Sequence, residues 1–175
     1  VDQALASLET AVHLFPLSGS AHDALAKQYM VLGRLEEARP EWVAATKTDP
    51  AFVAGWTGLA GLQESQGQFE HAEATYRAAI QADRSDPTGP VRLGQFLQAR
   101  GRLDAATDSS RSGGALAQFR SAIEAVPGSA MSYSALAAGY SQLGRVEDAL
   151  SSYRTAIAVD PTFVYAYSNL VSLLT

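Results

Sequence analysis

The chain has 175 residues, 47% of them hydrophobic, with 18 acidic and 13 basic side chains for a formal net charge of −5. Such a balance describes a folded chain with a substantial core and excludes the disordered class, and the lack of cysteine excludes disulfides and thiolate metal sites. Only Lys27 and Lys47 are lysines, no stretch concentrates positive charge, and no apolar run is long enough to span a bilayer, so neither nucleic acid nor membrane insertion is expected.

Residues 1–18 open with one amphipathic helix, Val1 to Phe15, in which Ala4, Leu8 and Ala11 recur at three- and four-residue steps before Pro16. Residues 19–52 read as two helices joined at Gly33, with Leu25, Ala26 and Tyr29 on one stripe and Ala38, Trp42 and Ala45 on the other. Pro40 lies inside that second helix and is expected to kink it or delay its start. Residues 53–86 repeat the pattern with Trp56, Leu59 and Ala60, a turn at Gly67, then Ala72, Tyr76 and Ala79. In residues 87–129 the first helix is expected to begin late, with Pro90 as its first residue after Thr88-Gly89. A polar insertion near 107–114, reading TDSSRSGG, separates it from a second helix carrying Ala115, Phe119 and Ala122, and reads as a surface loop. Residues 130–163 give the clearest pair. Tyr133, Leu136, Ala137, Tyr140 and Leu143 form one stripe, Gly144-Arg145 the turn, and Ala149, Tyr153, Ala156 and Ile157 the second stripe. Residues 164–175 begin a further first helix with almost no charge.

The turn glycines Gly33, Gly67, Gly101 and Gly144 are spaced by 34, 34 and 43 residues. The terminating positions Pro16, Pro50, Arg84, Pro127 and Pro161 step by 34, 34, 43 and 34. Two independent landmarks therefore share one register, interrupted by nine extra residues in the third repeat.

A 34-residue period with these residue types resembles the tetratricopeptide repeat (TPR) family. Its leucine column is matched by Leu25, Leu59, Leu93, Leu136 and Leu170, and its second-helix alanine by Ala4, Ala38, Ala72, Ala115 and Ala149. His22 and Pro90 depart from its early aromatic, and Gln63, Leu97 and Leu174 from its tyrosine. The resemblance implies an all-α, right-handed α-solenoid of stacked helix-turn-helix repeats forming one domain over 1–175. It also implies that the first helices line a concave groove, with Lys27, Met30, Thr57, Gly61, Glu64, Arg92, Gln95, Ser134 and Ala138 facing a peptide or partner helix. Some family members clamp acidic peptides with lysines, asparagines and arginine. Here only Lys27 and Arg92 match that clamp, and Asn169 alone matches the asparagine ladder of another subfamily.

No catalytic, nucleotide-binding or metal-ligand motif is present, and no cofactor is implied. His13, His22 and His71 are far apart at positions that do not converge on acidic residues, and His22 is expected to be a packing residue. Glu36-Glu37, Asp104 and Glu147-Asp148 sit at starts of second helices, where they favour the helix dipole. The expected role is a non-enzymatic interaction module, a scaffold or adaptor. The alternative is a targeting or regulatory segment of a larger enzyme or of a secretion or assembly protein. Because the chain opens on a second helix and closes on a first one, end-to-end self-association through 1–15 and 164–175 is also an expectation.

Overall fold

The computed structural model describes residues 2–103 and 113–174. Those residues form ten α-helices and no strand: α1 Asp2–Leu14, α2 Gly19–Val31, α3 Leu35–Thr48, α4 Val53–Ser65, α5 Phe69–Ala82, α6 Thr88–Ala99, α7 Ala115–Ala125, α8 Ala130–Gln142, α9 Val146–Val159 and α10 Val164–Leu174. Asp104 and most of the 107–114 insertion lie outside the described residues. The chain divides into two compact units, Val1–Asp83 and Arg84–Thr175.

In the first unit α2 pairs with α3 and α4 with α5, while α1 rests on α2 and the first helices α2 and α4 touch. Its core joins Leu25, Ala26 and Tyr29 to Ala38, Trp42, Leu59 and Leu62, with Leu5, Leu8 and Val12 of α1 packed against it. In the second unit α6 pairs with α7 and α8 with α9; α8 touches both α6 and α10. Phe119, Leu93, Leu97 and Val91 are the largest of its fully buried side chains.

The alanine columns explain how the helices nest. Ala38, Ala45, Ala72, Ala79, Ala115, Ala122, Ala149 and Ala156 are all 0% exposed. A methyl group at each crossing lets two backbones approach, and the large neighbour at Trp42, Tyr76, Phe119 or Tyr153 fills the space alongside. Ala4 of α1, at the equivalent repeat position, is exposed.

Each turn closes in one way. Gly33, Gly67, Gly101 and Gly144 have φ between 69° and 73°, where a Cβ would be strained. The next residue then donates its backbone N–H five residues back: Arg34 to Tyr29, Gln68 to Gln63, Arg102 to Leu97 and Arg145 to Tyr140, at 2.8–2.9 Å. Two of these arginines also stack on the residue that accepts the bond, Arg34 over the Tyr29 ring at 4.7 Å and Arg145 over Tyr140 at 4.5 Å. The first helices α2 and α8 are capped by Ser18 and Ser129, whose hydroxyls accept from the N–H of Ala21 and Ser132. The second helices α3 and α9 carry Glu36-Glu37 and Glu147-Asp148 in their first turns.

Three local expectations change. Pro40 lies inside α3, which already starts at Leu35; the helix is not delayed, because the proline is exposed and costs one backbone bond in a helix held by its buried face. Pro90 is the third residue of α6, not the first. Its missing N–H still falls among the first-turn donors that have no partner within the helix. Leu143 caps α8 and is 37% exposed, so the stripe ends at Tyr140.

Candidate functional site

The candidate face is carried by the first helices. In the first unit Lys27 and Met30 lie on α2, and Thr57, Gly61 and Glu64 on α4. Lys27 donates to Asp23 Oδ2 at 2.6 Å, and Asp23, which is buried, also accepts the Trp42 indole N–H at 2.9 Å. The lysine's charge is therefore already matched from within its own helix. Met30 packs partly against the core. Thr57 donates to the Ala54 carbonyl of its own helix, and Glu64 accepts from the Tyr76 hydroxyl at 3.1 Å. Gly61 leaves room: a Cβ there would meet only the Tyr76 hydroxyl, at 3.9 Å.

His22 corrects the sequence reading. Buried on α2, it places Nδ1 2.6 Å from Glu41 Oε2 of α3 and Nε2 3.0 Å from the Pro16 carbonyl. It does meet an acid, and it ties the segment before α2 to the α2–α3 pair. His13 and His71 are exposed.

In the second unit three of the four predicted residues come together. Gln95 of α6 and Ser134 and Ala138 of α8 line one cavity of about 390 Å³. Gln98, Met131 and Ala135 extend the same wall, and Phe163, Tyr165 and Asn169 close it from the α10 side. Arg92 is outside that lining but donates to Gln95 Oε1 at 3.3 Å. Ser134 is buried, whereas Tyr165 is 73% exposed. Phe163 and Tyr165 stand with ring centroids 6.0 Å apart, tilted by 39°. A second cavity of about 320 Å³ shares Ala138 and Asn169 and adds the more polar Ser141, Gln142 and Ser172. Tyr153 lines this second cavity beside Asn169. Burial pushes that phenol's pKa up, and the Asn169 hydrogen bond partly offsets the effect.

The groove positions expected from sequence leave out Phe163 and Tyr165. The available signal was Pro-x-Phe, an aromatic two residues after a helix-ending proline, present at Pro50–Phe52 and again at Pro161–Phe163. Among the described residues no cluster of three or more histidines and acids could hold a metal ion, and no helix is long and apolar enough to cross a membrane.

Residues 1–42 and 24–87 match one tetratricopeptide repeat family model, and residues 139–170 match a second TPR model. Protein CTR9 homolog of Arabidopsis thaliana is 29% identical over 174 residues, covering 95% of this chain. The chain spans only 15% of that relative's length. Among solved structures, TTC0263, a thermophilic TPR protein of Thermus thermophilus, matches with a TM-score of 0.76 at 21% identity, over 99% of this chain and 90% of that one. YrrB, described as a TPR protein with an unusual peptide-binding site, matches with a TM-score of 0.62 at 22% identity, over 96% and 82%. MamA matches with a TM-score of 0.63 at 17% identity, over 91% and 88%. The family's fold is generally a non-enzymatic platform for protein interactions. With its 34-residue register, buried alanine columns and four glycine turns, the chain belongs to the tetratricopeptide repeat family.

Proposed function

We propose that the chain is a scaffold or adaptor module that binds a peptide or a partner helix on the face of its first helices. The cavity lined by Gln95, Ser134 and Ala138 carries this reading, because three first helices converge there on an indented surface with small residues and few charges. YrrB's peptide-binding site, on a similar fold, supports the same use. In the first unit Gly61 offers a second place where a ligand backbone comes close. A matched pull-down tests it, comparing the native chain with Gly61→Arg plus Arg92→Glu. Loss of captured proteins by the folded double variant supports the groove; undiminished capture rules it out.

One observation favours a second reading, in which these repeats are a targeting or regulatory part of a larger enzyme or of a secretion or assembly protein. The chain aligns along nearly its full length with a relative more than six times longer. Capture experiments with the full product of the coding gene, with and without these residues, separate the two.

A further inference from the structure

Resting on the groove reading above, we propose that the second unit's cavity receives one uncharged, apolar side chain of an extended segment, whose backbone amides pair with the carboxamides of Gln95, Gln98 and Asn169. Nothing charged lines the cavity, and its apolar surface comes from Met131, Phe163 and Tyr165. A ligand carboxylate or ammonium entering it would lose water without gaining a counter-charge. About 390 Å³ lies at the small end of ligand cavities, roughly 300–1,000 Å³, and suits a single large side chain with the adjoining backbone.

The three carboxamides decide between an extended and a helical ligand. Each carries both a donor and an acceptor, the complement of a peptide unit. A helix has already paired its own amides and would leave these groups facing satisfied backbone, whereas an extended chain has both N–H and C=O to give. Ala135 and Ala138 let that backbone come close. Asn169 lines both cavities, so the segment has a more polar path onward past Ser141, Gln142 and Ser172. Charge agrees: the chain carries −5 overall, nothing charged lines the cavity, and Arg92, three residues before Gln95, is engaged with it outside the lining. An acidic anchor therefore finds no cation inside.

The test is an NMR titration of the whole chain, labelled with ¹⁵N and with ¹³C at methionine methyls. The probes are four N-acetylated, C-amidated tripeptides: Ala-Phe-Ala, Ala-Leu-Ala, Ala-Glu-Ala and Ala-Lys-Ala. The first two are expected to move the Met131 methyl and the Gln98 and Asn169 side-chain amide signals, at concentrations about tenfold below those the charged peptides need. Gln98→Leu, checked for a native spectrum, is expected to weaken Ala-Phe-Ala binding about fivefold, the loss of one neutral hydrogen bond. Equal response to all four peptides overturns the apolar selectivity and leaves the groove reading intact. Unmoved signals on α6, α8 and α10 with every peptide overturn the cavity assignment, while the Gly61→Arg plus Arg92→Glu capture experiment still decides the groove by itself.

Discussion

A Cβ built on Gly58 of α4 would stand 2.3 Å from Nε1 of Trp42 on α3. The indole thus occupies the space that a side chain at 58 would need, and the α3–α4 contact depends on having none there. Gly94 bears the same relation to Phe119 in the second unit, at 2.4 Å. Both rings are buried and cannot swing into solvent. Gly58→Ala and Gly94→Ala are each expected to destabilise by about 1–3 kcal/mol, the usual cost of overpacking, despite alanine's better helix propensity. Gly61→Ala is the control. Its Cβ meets nothing closer than 3.9 Å, so it is expected to stabilise by about 0.5–1 kcal/mol. Urea midpoints for the three variants check the order, and a neutral Gly58→Ala would refute the packing account.

Trp42 also meets Asp23, and that contact makes a second prediction. The carboxylate is buried and accepts from the indole N–H and from Lys27. Asp23→Ala leaves the buried indole N–H without its acceptor and is expected to cost about 1–3 kcal/mol. Lys27→Ala removes a side chain that is 60% exposed and is expected to cost under about 1 kcal/mol. Thermal unfolding of both variants checks this. Similar losses for the two would mean that the ion pair, and not the indole bond, is what Asp23 contributes.

Equivalent repeat positions give a sharper comparison. Ala149 is 0% exposed against α8, whereas Ala4 occupies the same register on an exposed face of α1. Ala149→Asp buries an unpaired charge and is expected to cost about 3–5 kcal/mol. Ala4→Asp places the same charge in water near a helix N-terminus and is expected to change stability by no more than about 0.5 kcal/mol. Circular dichroism melts of the two variants measure the difference.

What could be read from sequence follows the physics of repetition. Gly33, Gly67, Gly101 and Gly144 answer a steric demand, positive φ, and the alanines answer another, close helix approach; both recur every 34 residues where no insertion intervenes. Contacts that depend on one rotamer leave no such trace. Glu41 reaches His22 across 19 residues and from another helix, and no periodicity announces it. The cavity is intermediate: Gln95, Ser134 and Ala138 follow from the first-helix register, but Phe163 precedes α10 and escapes a rule written for helix faces. Pro40 does not delay α3, because the buried Ala38, Trp42 and Ala45 hold the helix together around it, and a proline's local penalty alone does not show this.

The last prediction concerns alkaline pH. Burial raises the Tyr153 phenol above its ordinary 10.0, and burial together with the Glu9 carboxylate raises Tyr29 likewise. A folded-state pKa above the unfolded one means that the native fold binds the proton more tightly. That stability is fully present below pH 10 and is lost as pH climbs through the folded-state values. On the acid side the sign reverses. The Arg34 hydrogen bond lowers Glu37, and Thr162 lowers Asp160, so their contributions hold above the ordinary 4.5 and 3.8 and fade as pH falls below them. Glu37 is exposed and Asp160 only partly buried, whereas both tyrosines are buried, so the alkaline limb is the one to measure. Tyr153→Phe has no phenol to ionise there. Its urea midpoint is expected to fall less than the native chain's between about pH 9 and 11. Parallel curves for the two proteins would mean that Tyr153 ionises in the folded chain as readily as in water.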